Sequence, residues 1–407
     1  MAPPPRAKAA VAVDWQPLWE KRLPGAVRAV AVAQRGTRET VWAAAQEKGR
    51  ATLLHLDQGG AELGRCVIPG ELLTLWGARG EAQASSFSLL AGFRDDTLYA
   101  LAADGGELWR RRAEVSPEFR KGERYEAPWF TDPLTVSGVS SLLVADLEGR
   151  GRQEIILGRP STLEFLTLSG DLKARVGTRW GTNTALALLQ RPGLQRFGRT
   201  LLAGKGVAGN PTVTAVSAQR RKISDGFFDA LPPGFADMHA WLQRGVSHLA
   251  VADLSGGGSE QVVLALSGHW NELRVYGADN AALWMKSFGP DRAGGGFMRG
   301  LQLLDVDGSG RKNVVVATRA SWLFAFDHSG TTLWRRRLGA EPSVLTGSEA
   351  TGRIAVGCAD GTLLLLDGSG TTLRTASLGE EVRSLAFSGE LLLAGSAGGR
   401  LACYQTR

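Results

Sequence analysis

Apolar residues in this chain fall in short runs, and almost every run ends on Gly, Asp or Ser. Residues 301–339 show the pattern most clearly, as "LQLLDVDGSGRKNVVVAT", "SWLFAFD", "HSG" and "TTLWRRRLG" in succession. Apolar runs of strand length bounded by turn residues predict β-strands, three or four to a unit. Similar units occupy 142–177 and 249–289, and weaker copies occupy 51–66, 97–112 and 361–379. A repeat of this size with several strands in each copy predicts the blades of a β-propeller.

The leucine that opens the last strand of each unit serves as a landmark. It stands at Leu63, Leu108, Leu172, Leu283, Leu333 and Leu373. The gap between Leu172 and Leu283 is too long for one unit, so residues 184–222 are expected to form a degenerate blade without a clean Asp-Gly turn. The C-terminal "VRSLAFSGELLLAGSAGGRLACYQTR" supplies three strands, and the N-terminal "PLWEKRLPG" copies the fourth-strand pattern of "TLWRRRLG". The chain is therefore expected to be all-β, a single propeller over 14–407 preceded by a flexible tail at 1–13. Eight blades are predicted, with seven as the alternative count, and the last blade is composed of strands from both ends. Such a join removes the open sheet edges that would otherwise template aggregation.

Composition refines this picture. The 53 glycines are spread along the chain and suit many tight turns between short strands. No apolar run reaches the roughly 20 residues of a membrane-spanning helix, and the N-terminus has too short a hydrophobic stretch for a secretory signal. A soluble, cytoplasmic monomer is expected. Cys66, Cys358 and Cys403 are far apart and odd in number, which points to buried thiols. The net charge of +7 comes largely from scattered arginines. Its dense clusters, Arg110-Arg111-Arg112 and Arg335-Arg336-Arg337, sit at equivalent repeat positions where an outer strand would leave them solvated, so nucleic acid is not the expected partner.

Two stretches resemble known repeat families. "DVDGSGRKN" resembles the turn of FG-GAP/VCBS-like repeats, whose alternate oxygens circle calcium; the matching positions are Asp305, Asp307, Ser309 and Asn313. Arg311 and Lys312 stand beside them, and the related turns at Asp146 and Asp253 keep fewer oxygens, so the first Asp is expected to accept backbone N–H groups in an Asx-type turn. "FAFDHSGTTLWRRRLG" resembles the quinoprotein (PQQ)-like repeat, whose Asp-x-x-Gly-x-x-x-Trp pattern docks one blade's tryptophan on its neighbour. Here Asp327, Gly330 and Trp334 match, with Trp19, Trp109 and Trp284 in similar places. In the quinoprotein dehydrogenases the resemblance implies a vicinal cysteine pair over the cofactor. This chain has none, so neither PQQ nor another cofactor is expected, and the tryptophans are read as packing groups.

No phosphate-binding loop, His-Glu-x-x-His or Gly-x-Ser-x-Gly motif occurs. The longest predicted connections are 114–133, 223–245 and 289–300, joined by 267–272, and blade topology places them on one face. Connections of that length are uncommon unless they bind something, and these are rich in aromatics. Trp129, Phe130, Phe235, Trp241 and Trp270 are expected to anchor a ligand or partner, with His239, His269, Arg292 and Arg299 as polar groups. The preferred reading is a non-enzymatic scaffold that binds a protein partner or ligand there. The alternative is a carbohydrate-active lyase or hydrolase using His239, Asp237 and His269 as acid and base.

Overall fold

The computed structural model describes residues 13–113, 138–190, 198–206, 213–228, 244–268, 270–290 and 298–407. Among them the strands form seven hydrogen-bonded sheets, five of four strands, one of five and one of six, an arrangement consistent with eight blades where the six-stranded sheet carries two of them. Blade six is the simplest: Met298–Leu304, Asn313–Thr318, Trp322–Phe326 and Thr332–Arg337 run in sequence order from the inner to the outer edge. Blade seven spans Pro342–Ser377, blade five Arg244–Pro290, blade one Ala26–Pro69 and blade two Leu72–Arg112. Blades three and four share one long strand, Leu172–Leu189. Its first part pairs with Glu154–Leu166 and its last part with Thr200–Lys205.

The degenerate unit is thus a true blade, ending in Val213–Val216 and Lys222–Phe227. Where blades one, two, three, six and seven use a glycine in the turn between third and outer strands and blade five uses Asn280 at φ 75°, it uses Arg220 at φ 62°, with the Arg220 N–H donating to Ser217 O at 2.9 Å. Such a backbone strains a side chain that glycine would not carry.

The eighth blade joins the chain ends. Val382–Ser388, Leu391–Ser396 and Arg400–Gln405 are completed by Trp19–Arg22, in register from Trp19↔Cys403 to Arg22↔Arg400. Glu20 pairs with Arg400 at 2.6 Å, and the Leu18 and Leu23 N–H groups donate to Cys403 O and Gly399 O. Across the seam to blade one, the Ser384 hydroxyl donates to Val27 O at 3.1 Å. Ser388 donates to Glu39 at 2.7 Å while accepting from Gln58 at 2.9 Å.

The propeller begins one residue earlier than the sequence pattern implied. Val13–Asp14 is not tail but a fifth, parallel strand on the outer edge of blade seven, paired with Arg374 and Thr375. Trp15 then fixes this segment to blade eight, its indole N–H donating to Gln405 O at 2.8 Å and its ring 4.7 Å from that of Tyr404. Two residues carry no periodicity, which is why the strand was not foreseen.

Successive blades interlock through the tryptophans. The rings of Trp19, Trp109, Trp284 and Trp334 lie over Gly60, Gly170, Gly330 and Gly370 of the following blade, where an added Cβ would come within 2.7–3.0 Å of the ring. The indoles of Trp19, Trp284 and Trp334 also donate to Gln58 O, His328 O and Gly368 O. The arginine triplets divide their work. Arg110, Arg112, Arg335 and Arg337 are exposed, whereas Arg336 bridges to Gly370 O and Thr372 of blade seven and Arg111 approaches Glu164 of blade three. The landmark leucines sit on the outer rim: Leu18, Leu63, Leu108, Leu172, Leu283 and Leu333 are all substantially exposed. Leu373 is the exception, partly covered in the cluster around Trp15.

All three cysteines are free, and burial pushes their thiols up to about 11 at Cys66 and about 12 at Cys358 and Cys403. Such groups are inert near neutral pH. His55 is buried, with Nδ1 2.7 Å from Ala103 O and Nε2 2.8 Å from the Thr40 hydroxyl, so it is a satisfied core histidine whose pKa burial lowers.

Deleting residues 14–24 leaves the outer edge of blade eight without its partner strand and exposes backbone groups that now pair. The melting temperature should fall by several degrees or more. Calorimetry showing the same melting temperature as the full chain would contradict the composite blade.

Candidate functional site

The ring is regular on one side and elaborated on the other. Blades six, seven, eight, one and two follow each other through short connections, as between Arg337 and Pro342, Ser377 and Val382, Arg22 and Ala26, and Pro69 and Leu72. Around blades three to five the connections lengthen to include 114–137, 207–212, 229–243 and 291–297.

The same arc holds the buried charge. Of the described Asp, Glu, Lys and Arg side chains, those buried are Asp96, Glu154, Arg159, Glu164, Lys205, Glu272 and Arg274, and all except Asp96 belong to blades three to five. Repeat alignment shows how unusual this is. Counting back three residues from the equivalent turns that follow each third strand gives Glu164, Thr214 and Arg274 in blades three to five, but Phe324 and Leu364 in blades six and seven. The fold accepts an apolar residue there, so the charges are particular to this arc.

The largest cluster spans the junction of blades two and three. Arg159 lies between the carboxylates of Asp96, at 3.0 Å, and Glu164, at 3.3 Å. Arg175 reaches Glu164 at 2.8 Å from the outer strand, and Arg111 of blade two stands 3.9 Å away. Asp96, held at φ 68°, also accepts the Gly138 N–H at 3.1 Å, immediately after the 114–137 connection. Beneath the pairs, the Asn183 amide donates to Arg159 O, Thr162 O and the Thr178 hydroxyl, while Asn183 Oδ1 and Glu164 Oε2 have no hydrogen-bond partner. In blade four the fully buried Lys205 donates to Thr214, which donates to Asp225 at 2.8 Å. In blade five Arg274 pairs with Glu272 at 2.6 Å. Burial opposes the charge of Arg274, but Glu272 and Tyr276 outweigh it and hold the guanidinium pKa above its ordinary value. Buried pairs of this kind repay their desolvation only when well hydrogen-bonded, and apolar replacements of similar volume often do as well.

The anticipated site residues fare unevenly. Trp129, Phe130, Phe235, Asp237, His239, Trp241, His269 and Arg292 lie outside the described residues. Trp270 is not on a connection: it opens the strand Trp270–Gly277 and pairs with Pro290, so residues 267–272 are almost wholly strand. Arg299 also belongs to a blade, as the bulged residue between Met298 and Gly300, and its guanidinium is engaged by Glu341 at 2.6 Å, a carboxylate that Arg319 shares. His248, on the inner strand of blade five, has a buried Nδ1 without a hydrogen-bond partner, and burial pushes its pKa down to about 4.

On the opposite face the acidic turns are closed by their own backbone. Asp305 accepts the N–H groups of Ser309 and Gly310, Asp146 those of Gly149 and Gly151, and Asp253 those of Gly256, Gly257 and Gly258. Asp307 is occupied by Ser309 N–H and the Asn313 amide, and hydrogen bonds from Ser309 hold its carboxyl below the usual range. Among the described residues no three His, Cys, Asp or Glu side chains gather as a metal site. The central channel opens on this face in a cavity of about 680 Å³, lined by Val30, Leu75, Trp76, Gln302 and Phe387 among others.

No family model and no curated protein matches the chain. Solved structures do match along nearly its whole length. BamB from Moraxella catarrhalis is similar at a TM-score of 0.60 and 17% identity, over 96% of this chain and 99% of that one. Saccharomyces cerevisiae Sqt1 is similar at 0.65 and 10%, over 98% and 99%, and the Dos1 propeller at 0.66 and 10%, over 96% and 95%. At such identities the likeness establishes the β-propeller fold and nothing of activity.

Removing one charge of the junction cluster strands the others. Glu164→Gln should lower stability by about 3 kcal/mol, as expected for a broken buried pair. Arg159→Met together with Glu164→Leu should recover much of the loss. Denaturant melts that leave Glu164→Gln equal to the parent would show that the cluster is not the buried network described.

Proposed function

We propose that this propeller is a non-enzymatic scaffold that binds a protein partner through the elaborated arc of blades three to five and the connections beside it. The observation that carries this reading is the concentration of buried charge in that arc. Ion pairs in a core are costly and dispensable for folding, as Phe324 and Leu364 at the equivalent positions illustrate. The cluster accepts the N–H of Gly138, the first described residue after 114–137, and so fixes one end of that connection; preorganised loops lose less entropy on binding. Trp129, Phe130 and Trp241, within 114–137 and 229–243, are the anchors we assign, because buried aromatics usually dominate interface energies.

The test is a pull-down with the intact chain, followed by affinity measurement on the recovered partner. Replacing Trp129, Phe130 and Trp241 by alanine should weaken binding at least a hundredfold, about 2 kcal/mol or more for each anchor, and leave the melting temperature unchanged. A triple variant that folds and binds the same partner equally well would refute the assignment.

A further inference from the structure

The turn-bearing face carries a second elaboration, at blades one and two, next to the charged junction of blades two and three. Blade one's first two strands, Ala26–Arg35 and Arg38–Glu47, have ten residues each, against seven and six for Pro342–Ser348 and Arg353–Cys358 of blade seven. The extra residues extend the hairpin by roughly 10 Å at the rise of a strand. The neighbouring turn of blade two contains Glu81–Ala84, the only helix among the described residues. Gln83 ties this helix down by accepting from the Trp76 indole and the Arg79 N–H, both at 3.0 Å. Phe87 is buried behind it, and Ser88 accepts from the Trp42 indole of blade one at 2.9 Å.

Between hairpin and helix lies a cavity of about 610 Å³, within the range of small-molecule sites. Its walls are aliphatic and aromatic: Ala33, Leu63, Ala78, Ala84, Phe87 and Leu108. The rim leucines Leu63 and Leu108, exposed elsewhere on the ring without enclosure, here border a pocket.

The polar groups decide what such a pocket takes. His55 has both ring nitrogens engaged, and the Ser85 and Ser86 hydroxyls donate to Ala82 O. Ser88 is used by Trp42, Gln34 by Gly36 O, and Asp104 by the Gly106 N–H. A sugar or a peptide backbone would find few free partners inside. Asp104 keeps its second oxygen free, and the cationic lining groups are Arg35 and Arg38 on the projecting hairpin, exposed and without an ion-pair partner among the described residues. Guanidinium groups at the mouth of an apolar pocket suit a carboxylate head on a hydrocarbon body.

We infer that the pocket between blades one and two binds an aliphatic carboxylate of medium length, its chain against Leu63, Leu108 and Phe87 and its head at Arg35 and Arg38. The site shares blade two with the charged junction but has none of its lining residues in that cluster, and its occupancy does not depend on the partner-binding reading.

Decanoate is the probe, titrated calorimetrically into the full chain. One saturable site is expected, with methyl decanoate binding at least tenfold more weakly. The double variant Arg35→Ala, Arg38→Ala should lose affinity at least tenfold, and Ala84→Trp, which fills the pocket from a half-buried position in its wall, should abolish binding. Neither variant touches the core, so both should melt with the parent. Absence of saturable decanoate binding, or binding that survives Ala84→Trp, would overturn the site. Binding indifferent to the two arginines would overturn the carboxylate assignment.

Discussion

Everything in this molecule depends on satisfying the backbone at the place where the ring closes. Seven blades are formed by contiguous chain, and each buries its faces against a neighbour on either side. The eighth can exist only if Trp19–Arg22 pairs with Arg400–Cys403. Without that pairing one blade has a bare edge and the Trp19 ring no longer covers Gly60 of blade one. Both consequences fall on the same seam, because the strand that completes blade eight also carries the tryptophan that grips blade one. The Ser384–Val27 and Ser388–Glu39 hydrogen bonds then tie the two inner ends together. Closure is therefore a single cooperative event in which N-terminal, C-terminal and blade-one residues take part together.

A closed ring leaves its connections free to vary, and the variation is unequally distributed. Blades six to eight and one need only a few residues between strands and have apolar interiors. Blades three to five combine long connections with buried charge, and blades one and two combine a projecting hairpin with a pinned helix. A repeat built purely for stability would have no reason to place Glu164 and Arg274 where its sisters place Phe324 and Leu364. The two elaborations meet at blade two but share no lining residue, so the scaffold has room for two separate binding events.

Much of the architecture was legible in the residues. The Gly turns, the Leu-Trp landmark and the match between "PLWEKRLPG" and "TLWRRRLG" led to the blade order and the composite join, because turn geometry and tryptophan docking demand particular residues at fixed spacing. The degenerate blade was legible from spacing alone, since Arg220 replaces the glycine its turn would favour. Other features left no trace in the pattern. Val13–Asp14 is too short to show alternation, and "SGHWNE" reads as a turn although Trp270 begins a strand. The buried charges were invisible because a charged residue in an apolar run normally marks the solvated side of a strand. Only alignment of the repeats on their turns sets Glu164 and Arg274 opposite Phe324 and Leu364. Arg299 was expected on a binding loop, yet its position in a bulge beside Glu341 makes it part of the blade framework.

Native-state hydrogen exchange at the N-terminal strand tests ring closure most directly. Closure by pairing with the C-terminal strand predicts that the backbone amides of Trp19–Arg22 hydrogen-bonded to Arg400–Cys403 exchange only through the same global opening that releases Val314–Val316 in the core of blade six. Exchange of those N-terminal amides by fast local fraying, while blade six stays protected, would contradict it.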